Sequence, residues 1–309
     1  MDALVMDTNG ICELVDMPEP RLGKGQVVIE VGCAAFNKAD YAQQQSHRMG
    51  PGEIDMEKAH ILGSDVAGVV TAVSPDVRGF QPGDRVCAEC KGLKGGMARL
   101  ALADAKWTAK IPDEMSLAVA ATIPTAGVTA LAAVKKASAV GGGHVLVCGA
   151  SGGVGQYVTL FASQAGMAVD ALCSARSADI AKRCGAMQAY DYKDGLSSIP
   201  EGGYDAVFAV NGKYPASEYA RLLRRGGTYV AVGMDSIRPA LGMPIRGKQP
   251  RLAIFFAEIN RGGLVEAVQR AASSTRSIAI TTHEGLEAVP TALAELADAH
   301  DGTRHVVLI

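Results

Sequence analysis

The sequence predicts an α/β protein in which a doubly wound parallel sheet is joined to a smaller β-rich domain. Two observations support this prediction. Up to about residue 115, short apolar segments are punctuated by Gly and Pro, as in a small sheet or barrel. From residue 117 onward, apolar runs alternate with helical stretches, as in successive β-α units.

The β-rich part contains three clear strand signals. Gly25–Val31 (GQVVIEV) and Asp65–Val73 (DVAGVVTAV) are rich in β-branched residues. The turn Pro82-Gly83-Asp84 then leads into a third segment, Arg85-Val86-Cys87.

The second part begins where Ser116 can cap an Ala-rich helix, and a further Ala-rich helix is predicted from Val128 to Ala137. The strands predicted after it are His144–Cys148, Ala168–Cys173, Tyr204–Val210 and Thr228–Val232, with helices at Tyr157–Gln164 and Asp179–Arg183. After about residue 255 we expect one helix, Leu264–Ala272, and an edge-like ending, HVVLI, that could return to the first domain. The predicted division is therefore 1–118 with 256–309 for the β-rich domain and 119–255 for the parallel sheet.

A glycine-rich turn is the strongest local signal. It follows one predicted strand and opens a predicted helix, so its backbone N–H groups can approach a pyrophosphate at the helix N-terminus. The pattern is G-x-x-G-x-x-G, because an alanine stands where the first glycine of G-x-G-x-x-G would be. We predict dinucleotide binding by Gly149, Ala150, Ser151, Gly152, Gly153, Val154 and Gly155.

The residues after the second predicted strand of the parallel sheet indicate which dinucleotide binds. This segment, Cys173-Ser174-Ala175-Arg176-Ser177, carries no carboxylate. Ser174 can donate a hydrogen bond and Arg176 can pair bidentately with a phosphate, which favours NADPH. Asp170 is the rival, since it could hold the ribose hydroxyl of NADH if the strand ended sooner.

Composition excludes several other classes of protein. A net charge of -2 with both signs interspersed gives no basic face for nucleic acid and no polybasic stretch for lipid. Apolar stretches are interrupted before the roughly 20 residues of a membrane span, and MDALVMDTNG lacks the pattern of a signal peptide. Seven cysteines without framework spacing indicate free thiols, so we expect a cytoplasmic protein.

Together these segments resemble the zinc-independent quinone oxidoreductase branch of the medium-chain dehydrogenase/reductases. The resemblance covers most of the chain and is weakest at 235–300. It implies a GroES-like catalytic domain built from both ends of the chain, a Rossmann domain between them, and commonly a dimer. The segments that carry it are FNKADY (Phe36–Tyr41), LGSDVAGVV (Leu62–Val70), QPGDRV (Gln81–Val86), Gly127–Ala130, GASGGVG (Gly149–Gly155), CSARSADIAKRCGA (Cys173–Ala186), DYK (Asp191–Lys193) and Gly226–Gly233.

Comparison with the zinc-dependent relatives implies that no metal is bound. Those relatives place a Cys where Asn37 stands and a His where Ser64 stands, and neither Asn nor Ser offers a thiolate or imidazole. The region of the third ligand, Ala121–Thr125, has no Cys or His. Cys87 and Cys90 form a C-x-x-C that we expect to be two buried thiols.

The resemblance also assigns roles near the reaction centre. Asn37 could donate a hydrogen bond to the acceptor oxygen, and Tyr41 could donate a proton or only pack in the pocket. Asp40 is expected to fix the local backbone as a turn residue. Thr129 could reach the nicotinamide ribose or ring, or be structural at a helix start. The remaining residues predicted to bind the cofactor are Tyr192, which would border the 2′-phosphate, Asn211 and Gly233.

Three functions remain open from the sequence. Without a Lewis acid an unactivated alcohol is a poor substrate, so the first is NADPH-dependent reduction of a small-molecule quinone or enone. The second is reduction of one particular double bond in a biosynthetic pathway by the same fold. The third is a non-catalytic NADPH-binding protein of the crystallin or interaction type.

Overall fold

The computed structural model describes residues 1–7, 11–38, 40, 60–90, 95–138, 143–232, 236–243, 251–254, 257–298 and 302–309. Two predicted site residues, Tyr41 and Gly233, lie outside the described residues.

The described residues form an α/β structure whose elements follow the predicted order. The strands of the first part are β1 (Asp2–Met6), β2 (Cys12–Asp16), β3 (Gln26–Ala35), β4 (His60–Ile61), β5 (Asp65–Val73), β6 (Arg85–Glu89), β7 (Leu100–Asp104) and β8 (Thr108–Lys110). Two helices follow, α1 (Leu117–Ala121) and α2 (Pro124–Ser138). The next elements are β9 (His144–Cys148), α3 (Gly153–Gln164), β10 (Ala168–Cys173), α4 (Ala178–Cys184), β11 (Gln188–Asp191), β12 (Tyr204–Ala209), α5 (Ala216–Leu222), β13 (Leu223–Ala231), α6 (Ile237–Leu241) and β14 (Arg251–Ile254). The last elements are α7 (Arg261–Ala272), β15 (Ile280–Glu284), α8 (Val289–Asp298) and β16 (Arg304–Leu308).

A parallel sheet occupies the middle of the chain. Its strand order is β11-β10-β9-β12-β13-β14, and each neighbouring pair is parallel. The connections therefore change direction between β9 and β12, which opens a crevice at the carboxyl ends of these strands. The predicted doubly wound sheet is confirmed.

A mixed, seven-stranded sheet forms the β-rich part. Its order is β15-β16-β3-β5-β6-β8, and β7 also pairs with β3. Strand β16 pairs antiparallel to β3, with Val306 opposite Ala35, so the predicted return to the first domain is confirmed. The prediction that HVVLI is an edge was wrong, because β15 runs parallel to β16 on its outer side. The exact division at 118/119 and 255/256 stays a prediction.

The two sheets share a continuous apolar core. One cluster of buried side chains contains Cys33 and Ala67 of the mixed sheet together with Val145 and Phe208 of the parallel sheet. Helices α1 and α2 contribute to the same cluster, which holds the carboxyl edge of the parallel sheet near the start of β5. This junction is where the candidate site lies.

The cysteines agree with the sequence expectation of free thiols. None of the seven cysteines, all of which the structure describes, forms a disulfide bond, and Cys87 and Cys90 are buried as predicted. Burial raises the pKa of both thiols, so they stay protonated. Within the described part of the chain, no helix is long and apolar enough to cross a membrane.

Candidate active site

The glycine-rich turn connects β9 to α3 at the carboxyl edge of the parallel sheet. Gly149 has a φ of 85°, a left-handed conformation that favours glycine. A Cβ on Gly155 would clash with the carbonyl oxygen of Gly149, so only glycine lets the helix pack this close to the turn. Gly152 is the N-cap of α3 and provides no capping side chain, which leaves the first amide groups of the helix to a ligand.

Asn211 lies against this turn and extends the same edge. Its backbone N–H donates to the carbonyl oxygen of Cys148 over 3.1 Å, and its side chain lies beside Gly149. The Oδ1 atom of Asn211 is buried and has no hydrogen-bond partner among the residues that the structure describes. An unsatisfied buried amide oxygen is costly, so this atom fits a donor from a bound ligand. The turn and Asn211 together fit the pyrophosphate and adjoining ribose of a dinucleotide.

The end of β10 places the predicted 2′-phosphate residues at the same edge. Ser174 is buried, and its hydroxyl shares a 2.6 Å hydrogen bond with the hydroxyl of Ser177, which donates to Ser151 Oγ over 3.0 Å. This serine chain links the end of β10 to the glycine-rich turn. Arg176 and Tyr192 are exposed, Tyr192 with 41% of its surface accessible, so both can meet a ligand from solvent.

The side chain of Asp170 is buried inside the parallel sheet. It pairs with Leu146 of β9, three residues before β10 ends. Its Oδ2 atom accepts a hydrogen bond from the Tyr204 hydroxyl over 2.8 Å and lies 2.9 Å from His144 Nε2. The carboxylate is therefore held inside the sheet, three residues before the end of β10.

Asn37 lies at the centre of a buried polar cluster across the crevice. Its amide nitrogen donates to Asp65 Oδ2 over 3.1 Å and to Ser64 Oγ over 3.4 Å. Its amide oxygen accepts a hydrogen bond from Arg304 Nη2 over 3.2 Å. Asp40 accepts the Asn37 backbone N–H over 2.7 Å, as expected for a residue that fixes the turn.

Asp65 is the fully buried acid of this cluster. The backbone N–H of Thr125 donates to Asp65 Oδ2 over 2.9 Å, and the Thr125 hydroxyl donates to Asp65 Oδ1 over 2.7 Å. Thr125 lies on α2, one helical turn before the half-buried Thr129. Burial raises the pKa of Asp65 above its usual value, although the hydrogen bonds from Thr125 and Asn37 and the charge of Arg304 act in the opposite direction. Burial likewise lowers the pKa of the Arg304 guanidinium.

Arg304 and Gln156 join the polar cluster to the glycine-rich turn. The guanidinium of Arg304 lies so close to Gly153 that a Cβ there would clash with it. Gln156, in the first turns of α3, donates to the carbonyl oxygens of Ser151 and Gly302 over 3.0 and 2.8 Å. A single cation, Arg304, therefore contacts both the nucleotide turn and Asn37.

The cluster does not fit a catalytic zinc ion. Asn37 and Ser64 do lie together, as their match to two zinc ligands implied, but an amide and a hydroxyl are poor zinc ligands. The Arg304 guanidinium, 3.2 Å from the Asn37 oxygen, would also repel a second cation at this place.

The sequence did not reveal Asp65, Thr125, Gln156 or Arg304 as site residues. The available signals were weak: an acid at the head of an apolar strand, and an arginine directly before the apolar ending HVVLI. Thr129 lies inside α2, which begins at Pro124, and not at a helix start as expected; among the described residues no contact assigns it a role.

Two family models match the chain. The alcohol dehydrogenase GroES-like domain matches residues 23–113, and the zinc-binding dehydrogenase family matches residues 184–307. A chloroplastic quinone oxidoreductase of Triphysaria versicolor is 33% identical over 229 residues, which cover 71% of this chain and 69% of the relative. A trans-enoyl reductase of Aspergillus sclerotiorum is 29% identical over 229 residues, which cover 65% of this chain and 62% of the relative.

Solved structures are similar over the whole chain. The quinone oxidoreductase from Coxiella burnetii superposes with a TM-score of 0.85 at 25% identity, covering 100% of this chain and 99% of that one. The native structure of a mycobacterial protein complexed with NADPH has a TM-score of 0.78 at 25% identity and covers 100% of both chains.

Proposed function

Because the chain belongs to the quinone oxidoreductase branch of the medium-chain dehydrogenase/reductase superfamily, we propose that it reduces a quinone or a conjugated enone with NADPH and without zinc. It is an oxidoreductase that binds a nicotinamide cofactor and acts on a small molecule. The observation that carries the proposal is a buried Asn37–Asp65–Arg304 cluster, in place of metal ligands, next to a dinucleotide turn.

The choice of NADPH rests on the end of β10. Arg176 is an exposed cation that can pair bidentately with the 2′-phosphate, and the exposed ring of Tyr192 can pack beside it. Asp170, the acid that would favour NADH, is held inside the sheet by Tyr204. A similar structure contains NADPH, which agrees with this preference.

The pyrophosphate is expected to lie between α3 and Arg304. The uncapped first turn of α3 offers N–H donors and a favourable dipole. Arg304 adds a buried positive charge next to Gly153, at the same end of the helix. Its Nε atom has no hydrogen-bond partner among the described residues, so the guanidinium has donor capacity left.

The acceptor is expected to meet the side-chain amide of Asn37. When bound, NADPH supplies the hydride, and a conjugated acceptor delocalises the charge that develops. The hydrogen bond from Asn37 Nδ2 to Ser64 Oγ is long, at 3.4 Å, and therefore weak. The N–H that makes it can donate to the oxygen of a bound acceptor instead. Tyr41, outside the described residues, stays the proposed proton donor.

A panel of quinones and enones with NADPH tests the proposal. We expect NADPH consumption, and deuterium from stereospecifically labelled NADPH should appear at the hydride-accepting carbon of a reduced enone. Asn37→Ala should lower kcat more than it weakens NADPH binding, because its hydrogen bond strengthens in the transition state. Tyr41→Phe should cost roughly 10²-fold if Tyr41 donates the proton and be nearly silent if it only packs.

Ser64→Ala is the matched control for Asn37→Ala, since it removes the long contact and keeps the bonds to Asp65 and Arg304. The proposal fails if no quinone or enone is reduced while a saturated alcohol is oxidised with NADP⁺ in metal-free buffer.

A second candidate is an enoyl reductase specific for one pathway. The likeness to the trans-enoyl reductase of Aspergillus sclerotiorum favours it, and the chemistry of hydride addition to a conjugated double bond is the same. Strong preference for one enoyl substrate over simple quinones would identify this candidate.

The predicted homodimer also stays a proposal. Among the described strands, β14 is the outermost of the parallel sheet, and Ile254 on it is exposed. Such an edge offers unpaired N–H and C=O groups to a second copy of the chain.

A further inference from the structure

Two histidines and a glutamate meet on the far side of the mixed sheet from the candidate active site. His305 of β16 lies opposite Thr281 of β15, so His283, two residues further along β15, points to the same face. Helix α8 covers this face with its apolar residues Val289 and Leu293, and Glu295 reaches the two rings from its edge. We call His283, His305 and Glu295 the His–His–Glu cluster.

The donor atoms of the cluster form a small triangle. His283 Nε2 lies 3.0 Å from His305 Nδ1. Glu295 Oε2 lies 3.8 Å from His283 Nε2 and 3.9 Å from His305 Nδ1. A tetrahedral zinc ion with bonds of about 2.0–2.1 Å needs its ligand atoms about 3.3 Å apart. Shifts of about half an ångström, mainly of the Glu295 carboxylate, would therefore bring all three atoms to binding distance.

The burial of the two histidine side chains indicates that the site is formed before an ion binds. The His283 and His305 side chains are only 9% and 2% exposed, and their rings are nearly parallel, with an angle of 18° between them. The strand register therefore holds both imidazoles in place before any ion binds. Only Glu295, whose side chain is 52% exposed, has to be ordered, so the entropic cost falls on one side chain.

The hydrogen bond between the rings explains only part of the arrangement. Without an ion, one imidazole donates a proton to the other across the 3.0 Å contact. Glu295 lies too far from either nitrogen for a hydrogen bond, yet it brings a negative charge to the place where both ring nitrogens converge. Two imidazoles and one carboxylate with a fourth position open to water are a donor set that zinc takes in proteins.

We propose that the His–His–Glu cluster binds one divalent transition-metal ion of the zinc class and fastens α8 to strands β15 and β16. The ion is separate from the reaction, and its binding departs from the sequence expectation that the protein holds no metal. Arg304, the residue before His305, points to the opposite face of β16, where it contacts Asn37. We therefore expect the bound ion to stabilise the fold and to leave the rate of hydride transfer unchanged.

The full-length protein, first freed of metal with a chelator, provides the test. Titration calorimetry with Zn²⁺ should give one ion per chain, and Zn²⁺ should raise the thermal unfolding midpoint reversibly. Co²⁺ in the same site should give the visible absorption of a tetrahedral ion. Removing one ligand, in His283→Gln or in Glu295→Gln, should weaken binding at least roughly tenfold.

Glu295→Gln keeps the test decisive if His283→Gln does not fold, because Glu295 is exposed and its loss leaves the ring pair intact. Glu287→Gln is the matched control: it removes an exposed carboxylate from the turn just before α8 and should leave metal binding unchanged. The proposal is overturned if the metal-free protein binds no Zn²⁺ or Co²⁺, or if Glu295→Gln binds them as the unaltered protein does.

Discussion

Asn37 shows why a neutral amide replaces a metal ligand at this position. It joins a fully buried carboxylate, Asp65, to a buried guanidinium, Arg304, by donating to one and accepting from the other. A thiolate can only accept, so a cysteine at this position would leave Asp65 without one of its donors. The amide thus keeps two buried charges hydrogen-bonded without an ion, which is the condition for burying them at tolerable cost.

Arg176 carries the prediction about cofactor choice. Arg176→Ala should raise the NADPH dissociation constant at least about tenfold, because a charge-assisted contact to the 2′-phosphate is lost, and should leave NADH binding nearly unchanged. Fluorescence titration with both cofactors measures the difference. The control is Arg183→Ala, which removes a different exposed arginine, one that lies on α4. It should change neither the NADPH nor the NADH dissociation constant.

Equal losses for NADPH and NADH in Arg176→Ala would show that Arg176 does not read the 2′-phosphate.

Single residues were predictable where a local pattern marked them. Asn37 and the glycine-rich turn stood in recognisable segments, whereas Arg304 is 267 residues from its partner Asn37. Only the return of β16 to β3 brings these two residues together, and no local spacing encodes that return. Asp65 looked like part of a strand because the apolar run that follows it dominates the pattern.

Elements were predicted best where apolar residues run continuously. The bounds of β9 and β10 were predicted correctly, since all their residues but the first are buried. Strand β15 was not predicted, because its sequence ITTHE is polar and only partly buried. Helix α3 begins at Gly153 rather than at the predicted Tyr157, since glycines have low helix propensity yet form its first turn here.

The close packing of the first turn of α3 against the glycine-rich turn predicts that a larger residue at Gly155 is destabilising. In Gly155→Ala the new Cβ would meet the carbonyl oxygen of Gly149, which is backbone and can move only if the turn opens. We expect the free energy of unfolding to fall by about 1–3 kcal/mol and NADPH binding to weaken. Denaturant unfolding and calorimetry measure the two effects.

Gly203→Ala is the control for Gly155→Ala, because among the described residues a Cβ there would meet only the carbonyl oxygen of Pro200, at 3.9 Å. Full retention of NADPH affinity in Gly155→Ala would show that the turn does not hold the pyrophosphate.

At the scale of the whole molecule, two sheets and one shared core place the site at a junction. The cofactor turn belongs to the parallel sheet, and the polar cluster belongs mainly to the mixed sheet. The sequence predicted both parts and their order, because the change from turn-rich strands to alternating strands and helices is visible along the chain. It could not predict how closely the parts meet, which depends on long-range contacts such as that of Gln156 with Gly302.

Metal removal tests the whole arrangement. After exhaustive treatment with a chelator, we expect turnover with a quinone or enone to be unchanged, since Asn37 and Arg304 occupy the place of a catalytic ion. If the His–His–Glu cluster holds zinc, the thermal midpoint will fall in the same sample. Steady-state kinetics and thermal unfolding separate the two effects. Loss of turnover that added Zn²⁺ restores would contradict zinc-independent catalysis.

The pairing of β16 with β3 sets the order in which the mixed sheet can form during synthesis. Asn37, at the end of the β3 segment, is made 267 residues before Arg304 at the start of β16. At ~5–20 residues per second, this interval is on the order of tens of seconds. The parallel sheet uses strands that are close in sequence and can form during this interval. Strand β3 can pair with β5 and β7 in the same interval, but its residues Cys33–Ala35 lack their β16 neighbour until the end. Until β16 emerges, this part of β3 can pair with the strand of another chain instead.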